Sequence, residues 1–256
     1  MVARIRRTVL RILGVIALLF VALGAAAATL FPRNGPPRVA VSEEVVGILA
    51  GHSYVWIIRP SGGAGAALVD TSDYDHTSEL LEKLEAEHLA ADDVRTVLLT
   101  HAHFDHIGGC GAFPKATFYV GAADVPLLRG TAAPKGFIPR IGSRFMTTHP
   151  PPENVHELHG GESIDLGGGA AATVIATPGH TEGSMTYLYK DVLFTGDSLL
   201  VTKDGVKLIT RLFCDDIDEN RRSLSALLPF RFTTIADGHC GAAGDAHRKL
   251  EAFLKQ

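Results

Sequence analysis

The chain reads as an α/β protein. Three observations lead there: short β-branched and leucine-rich runs recur from Val45 to Ala236, segments with helical spacing lie between them, and polar clusters sit where several strands give way to loops. Its 256 residues suit one large domain or two small ones, and at 46% hydrophobic and 20% charged they can bury a substantial core. No short-period repeat is visible.

The N-terminal segment differs in kind from the rest. Arg4, Arg6, Arg7 and Arg11 precede Ile12 to Phe31, a run without a charge that is closed by Pro32-Arg33-Asn34-Gly35-Pro36-Pro37. About twenty apolar residues in a helix span roughly 30 Å, the thickness of a bilayer core. A membrane anchor is therefore expected, with the arginines in the cytoplasm and the domain that follows on the extracytoplasmic side. The competing reading is a signal segment cleaved near Ala25-Ala26-Ala27-Ala28, which would export the domain. The organisation read from the sequence is 1–31 anchor or signal, 32–38 linker and 39–256 folded domain.

Within that domain, Val45–Leu49 and Ser53–Arg59 read as paired strands around Ala50-Gly51-His52, and Ala66–Val69 as a strand that delivers Asp70 at its end. Thr77–Leu89 places Leu80, Leu81, Leu84 and His88 on one face of an amphipathic helix capped by Thr77 or Ser78. Val94–Thr100 is the next strand, so strand, helix and strand make a βαβ-like unit. Ala116–Val120 follows as a strand, and Gly121 to Gly169 is irregular and rich in Pro and Gly. Ala172–Ala176, Met185–Tyr189, Val192–Phe194 and Thr233–Ala236 read as strands. Asn220–Leu228 and Ala246–Leu254 read as helices, the latter turning Leu250, Phe253 and Leu254 to a sheet.

The chemistry concentrates behind the strand Val94–Thr100, where His101-Ala102-His103-Phe104-Asp105-His106 leads into Ile107-Gly108-Gly109. In extended chain His101 and His103 point the same way. Three imidazoles and a carboxylate within six residues are costly to keep together unless positive charge sits among them. Imidazole nitrogen and carboxylate oxygen are the ligands of zinc and similar borderline metals.

Charge narrows the partners. The formal net charge is −4, but residues 1–33 hold five arginines and no acid, which leaves 19 basic and 28 acidic residues, a net of −9, for the rest. An acidic domain without a basic track is a poor partner for nucleic acid, so a small-molecule substrate is expected. Cys110, Cys214 and Cys240 show no C-x-x-C spacing and read as small buried residues. Of the three, Cys240, next to His239, is the one that could sit beside a metal, and a Cys110–Cys240 or Cys214–Cys240 bond stays open. His52, His76 and His88 read as solvated or core-edge histidines, and His149, His156 and His159 as loop residues.

The His101–His106 motif resembles the signature of the metallo-β-lactamase superfamily. Later pieces follow in order: Thr177-Pro178-Gly179-His180-Thr181-Glu182-Gly183-Ser184, then Leu193-Phe194-Thr195-Gly196-Asp197-Ser198, then Asp237-Gly238-His239. The resemblance covers roughly residues 39–256. It implies an αββα sandwich, two mixed sheets face to face with helices outside. It assigns His101, His103 and His180 to one metal and Asp105, His106 and His239 to a second, with Asp197 bridging both. Two Zn²⁺ are implied, Fe or Mn being the alternatives. Metals about 3.5–4 Å apart bring bound water to a pKa of about 7, so a bridging hydroxide becomes the nucleophile and Asp105 handles the leaving group's proton. Asp70 either accepts a hydrogen bond from a ligand histidine, as carboxylates behind metal sites do, or caps the turn Val69–Asp73. Phe137, Ile138, Phe145 and Met146 fall in a region that overhangs the metals in this family, and either wall a pocket or pack on the domain's own core.

Within the superfamily, His103 replaces the glutamate of flavodiiron oxygen reductases, and Asp197 stands where many true β-lactamases carry cysteine. The set looks like that of glyoxalase II, the quorum-sensing lactonases and ribonuclease Z. The acidic domain argues against the ribonuclease. Only seventeen residues follow His239, which argues against the helical glutathione-binding region of glyoxalase II. The reading is a metallohydrolase of small esters, lactones or thioesters. The alternatives are a mononuclear iron enzyme like the persulfide dioxygenases, through His101, His180 and Asp197, a phosphodiesterase, and a membrane-tethered binding module without catalysis.

Overall fold

The computed structural model describes residues 35–63, 65–144 and 150–256. The expected anchor or signal segment 1–31, the start of the linker, Phe145, Met146 and His149 lie outside the described residues. Among those described, no helix is long and apolar enough to cross a membrane. Contacts to the sheet begin within the expected linker: Tyr54 donates its hydroxyl to the Pro36 carbonyl, and the Leu49 N–H donates to the Pro37 carbonyl.

Among the described residues, seven strands form the first sheet in sequence order: β1 (Arg38–Ala40), β2 (Val45–Ala50), β3 (Ser53–Ile58), β4 (Ala66–Val69), β5 (Val94–Leu98), β6 (Thr117–Gly121) and β7 (Val155–Leu158). The first four pair antiparallel and the rest parallel, so the sheet is mixed. The helix α1 (Thr77–Ala86) carries the parallel crossover from β4 to β5, the βαβ unit expected from the sequence. Two short helices, α2 (Phe104–Ile107) and α3 (Val125–Leu128), follow β5 and β6, and α4 (Phe137–Gly142) lies in the long connection to β7.

The second sheet contains β8 (Ser163–Gly167), β9 (Ala170–Ala176), β10 (Met185–Tyr189), β11 (Val192–Gly196), β14 (Thr234–Asp237) and β15 (Ala242–Ala243), in the order β15-β14-β11-β10-β9-β8. It too is mixed, since β11 and β14 run parallel. A small ribbon of β12 (Leu200–Val201) and β13 (Val206–Lys207) interrupts it, and α5 (Ile217–Ser223) and α6 (Ala246–Leu254) complete the chain.

Three apolar layers explain why the strands read as continuous hydrophobic runs. Along β3, Val55 and Ile57 face one core with Leu80 and Leu84 of α1, while Tyr54, Trp56 and Ile58 face another with Tyr187, Tyr189 and Phe194 of the second sheet. Both faces of the strand are covered, so all six of its residues are buried. A third layer packs Leu193 and Ile235 against Leu224, Leu227 and Leu250, the last being the sheet-facing residue expected of α6. This is a two-sheet sandwich with helices outside.

Several boundaries depart from the sequence reading. The helix at Thr77 ends at Ala86, because His88 turns into the left-handed region at φ 58° and Leu89 folds back to bond Leu84 and enter the core. Its start is prepared by a 3₁₀ turn, Tyr74–His76, capped by Asp73 instead of by Thr77 or Ser78. The helix expected at Asn220 begins earlier, at Ile217, since the Asp216 carboxylate accepts the N–H groups of Asp218 and Glu219, and it tightens into a 3₁₀ turn from Leu224. The stretch Gly121–Gly169, read as irregular, contributes β7 and β8, whose half-exposed residues carry little apolar periodicity.

Trp56 joins the sheets most directly: its side chain is 2% exposed, and its indole N–H donates to the Asp237 carbonyl at 2.9 Å. Trp56→Ala is expected to lower stability by about 3–5 kcal/mol. Trp56→Phe, which keeps most of the apolar surface but strands that carbonyl, is expected to cost about 1–3 kcal/mol. Chemical denaturation followed by circular dichroism measures both, since the chain has no other tryptophan to report by fluorescence.

Candidate metal centre

The seven side chains singled out by the motifs converge where strand ends from both sheets meet. His101 and His103 stand on the segment after β5, Asp105 and His106 on α2, His180 after β9, Asp197 directly after β11 and His239 after β14. Except for His239, which is partly buried, all are buried.

Their atoms fall into two adjoining groups. His180 Nε2 lies 3.1 Å from His101 Nε2 and 3.0 Å from His103 Nδ1. His239 Nε2 and His106 Nε2 lie 3.6 and 3.8 Å from Asp105 Oδ2. Asp197 faces both groups: Oδ2 is 3.6 Å from His180 Nε2 and 3.1 Å from His239 Nε2, and Oδ1 is 3.5 Å from His106 Nε2. Within each trio, one ligand-type atom per residue lies within 4.8 Å of the others.

The residues fit a cation pair on chemical grounds. His106 Nε2 and Asp197 Oδ1 are buried, face each other and have no hydrogen-bond partner, a costly arrangement unless something else satisfies them. Asp70, Asp105 and Asp197 are all buried within a few ångströms of these rings, and no lysine or arginine is buried among the described residues. The positive charge that carboxylates require must then come from imidazolium or from metal.

Protonation follows the same division. Burial, reinforced by the neighbouring imidazoles, holds His101 well below the ordinary histidine value, and pushes His103 down to about 3 and His180 to about 4. These rings are neutral, the form in which imidazole ligates. Burial also opposes charge on His106 and His239, but the carboxylates of Asp70, Asp197 and Asp105 outweigh it at His106, raising it to about 9. Asp197 and Asp105 do the same at His239, raising it to about 10. Asp197 itself is held far below the carboxylate range, because His239 and His106 overcome the cost of its burial.

Asp70 lies against the histidine cluster. It sits at the end of β4 with φ 63°, and its Oδ2 lies 2.8 Å from His106 Nδ1. The same carboxylate accepts the Thr100 N–H and hydroxyl, both at 2.8 Å, which ties the motif loop to the neighbouring strand end.

Two further carboxylates do similar work and were not singled out from the sequence. Asp124, fully buried after β6, accepts the Ala102 N–H at 2.8 Å, the Thr181 hydroxyl at 2.7 Å and the Gly183 N–H at 2.9 Å, joining the loop of His101 and His103 to that of His180. Asp237 accepts the N–H groups of His239, Cys240 and Val201. Burial pushes both up to about 6. Asp237 was visible within the last motif, whereas Asp124 lies in Gly121-Ala122-Ala123-Asp124, which carries no ligand-type spacing. Gly238 has a steric reason in the same motif: a Cβ there would stand 2.5 Å from Asp197 Oδ1 and 2.8 Å from the His106 ring.

Cys214 packs on the site, its Sγ 3.8 Å from His180 Nδ1, a contact the sequence reading did not name. All three cysteines are free thiols, so neither of the open disulfide pairings is present. Burial raises each thiol to about 12. Of the four expected pocket residues, Phe137 is 61% exposed and Ile138 half-buried on α4. That helix lies beside the site: a Cβ at Gly142 would touch the Phe104 ring, and one at Gly136 would press on the Phe213 carbonyl, next to Cys214.

Comparison with known proteins agrees with this fold. Hydroxyacylglutathione hydrolase of Acidiphilium cryptum is 36% identical over 148 residues, 57% of this chain and 49% of that enzyme, so the chain spans about half the length of that relative. A probable metallo-hydrolase of Methanocaldococcus jannaschii is 29% identical over 68% of this chain and 70% of its own. The probable polyketide biosynthesis zinc-dependent hydrolase BaeB of Bacillus velezensis is 24% identical over 79% of each. Among solved structures, the metallo-beta-lactamase SMB-1 superposes with a TM-score of 0.62 at 25% identity over 81% of both chains, and the Rm3 metallo-beta-lactamase with 0.67 at 16% identity over 90% of this chain and 94% of its own. The latter likeness concerns the fold alone. The family model of the metallo-beta-lactamase superfamily matches residues 48–239, from β2 through the last histidine of the site, and the chain belongs to that superfamily.

Proposed function

We propose that the protein is a metal-dependent hydrolase of small esters, lactones or thioesters. One observation carries the reading: two complete trios of ligand-type side chains share Asp197, whose oxygens face both. His101, His103 and His180 would hold one cation, Asp105, His106 and His239 the other, with Asp197 common to both. Zinc suits this donor set. When bound, a divalent pair supplies a nucleophilic water at neutral pH and polarises the scissile oxygen.

The chain's own residues supply position, exclusion of water and proton transfer. Asp70 fixes the His106 ring through Nδ1 and, through Thr100, the start of the motif loop. The carbonyl of His52 accepts from His239 Nδ1 at 2.7 Å and sets that ring's tautomer with the proton on Nδ1, leaving Nε2 to face Asp197. Asp105, whose carboxylate lies at the edge of the second trio, is placed to pass a proton to the leaving group. Phe137, exposed beside the site on α4, offers an apolar wall for the substrate's acyl part.

The relatives support hydrolysis of an acyl bond, since they include hydroxyacylglutathione hydrolases and a zinc-dependent hydrolase of polyketide biosynthesis. The second trio supports a dinuclear site over the mononuclear iron reading, which would leave Asp105, His106 and His239 without a task. The absence of buried lysine or arginine among the described residues favours an uncharged acyl centre over a phosphodiester. The proposal extends to location: the run Ile12–Phe31 holds the hydrolase at a membrane, facing away from the cytoplasm. Mass spectrometry of the mature N-terminus is expected to find the run intact, and a start near Thr29 would instead mean an exported protein.

Metal quantification on the purified chain is expected to give two zincs in this site. Chelation should abolish turnover on a panel of esters, lactones and thioesters, and zinc should restore it; one iron with oxygen consumption would sink the reading. Asp70→Asn is expected to weaken metal affinity or turnover by about 10–100-fold. Unchanged chelator competition and unchanged kcat/KM in that variant would leave Asp70 as a turn residue only.

A further inference from the structure

A second group of metal-type side chains lies outside the seven-residue site and shares none of its ligands. His52 stands in the turn between β2 and β3, and Asp73 and His76 stand in the segment that enters α1. Their ligand-type atoms lie within 4.8 Å of one another. The Asp73 carboxylate is aligned from the backbone: Oδ2 accepts the His52 N–H and Oδ1 the His76 N–H, each at 3.2 Å. Both rings turn Nδ1 to the same carboxylate, His52 at 3.1 Å from Oδ2 and His76 at 2.5 Å from Oδ1, and they meet edge to face with centroids 5.4 Å apart.

The group is open to solvent on one side. Asp73 is 9% exposed and forms the floor, while the His52 and His76 side chains, 40% and 29% exposed, form a rim open to solvent. The backbone makes the space: Gly51 sits at φ 58°, and a Cβ there would stand 2.2 Å from Asp73 Oδ2 and 2.8 Å from the His76 ring. Two imidazoles and one carboxylate with open positions for water suit a borderline divalent ion.

We propose that His52 Nδ1, the Asp73 carboxylate and His76 Nδ1 form an additional site for a divalent cation of the zinc type. The ion takes the place of the two ring N–H donations, and each neutral imidazole then carries its proton on Nε2. The site adjoins the catalytic one through the backbone alone, because the His52 carbonyl receives the His239 Nδ1–H. A cation here therefore stiffens the turn that orients His239. Without an ion, the same three side chains simply fasten the β2–β3 turn to the start of α1.

Equilibrium dialysis of the full chain against zinc, followed by metal quantification, separates the two states. The unaltered protein is expected to retain one zinc per chain more than a His76→Ala variant of matching circular dichroism, whatever the seven-residue site holds. In the unaltered protein, carbethoxylation of His52 and His76, read by mass spectrometry, is expected to fall several-fold when zinc is added. Equal zinc content in the two proteins, or rings equally reactive with and without zinc, overturns the proposal.

Discussion

Negative charge buried without a lysine or arginine to meet it is the constraint on which the structure turns. Asp70, Asp105 and Asp197 are each 6% exposed or less and crowd around the same imidazoles. Carboxylates in that setting persist only with compensating positive charge and with their remaining lone pairs satisfied. The chain meets the requirement by bringing imidazoles from three separate stretches to one place, and the two-sheet sandwich is the frame that makes the convergence hold.

The frame acts through strand ends. β4, β5, β11 and β14 finish at the same edge of the sandwich, so the residues that follow them meet without long excursions of irregular chain. Hydrogen bonds cross between the halves there: Tyr54 donates its N–H to the Gly238 carbonyl at 2.7 Å, and Met185 its N–H to the Thr100 carbonyl at 2.8 Å. Three buried carboxylates behind the site, Asp70, Asp124 and Asp237, each gather backbone N–H groups from the loops that carry ligand-type histidines. These loops owe their position to polar bonds with fixed geometry more than to apolar packing, which explains how short, glycine-rich segments can aim side chains accurately.

Much of this was legible in the residues, and the reasons for the exceptions are physical. Ala66–Val69, Met185–Tyr189 and Ala246–Leu254 have the bounds read from the sequence because apolar runs or helical spacing stop there abruptly. His101, His103, Asp105 and His106 were legible because ligand chemistry needs particular residue types at particular spacings, and His180, Asp197 and His239 through the family resemblance of their motifs. Their supports were less so. Asp124 looks like any loop aspartate until the fold sets it against Ala102, Thr181 and Gly183, and Cys214, far from every motif in sequence, gave no sign that it packs on His180. The cap at Asp73 was missed for a related reason: Thr77 is a good capping residue locally, but a preceding 3₁₀ turn moves the cap upstream.

The two trios differ in what they must give up to receive a cation, and this follows from their surroundings. His101, His103 and His180 are crowded by one another and by apolar burial, so they are already neutral and present lone pairs at ordinary pH. His106 and His239 are surrounded by carboxylates and keep their protons to about 9 and 10, which makes imidazolium the substitute for metal in that half of the site. A cation entering the first trio displaces no protons from its rings, whereas one entering the second must release them. If each trio holds a cation, affinity of the second position would therefore rise with pH across the neutral range while that of the first would stay nearly level. Asp197, common to both, links them: a cation held by the first trio draws on the charge that otherwise keeps His106 and His239 protonated, so filling the first position eases the loss of protons from the second.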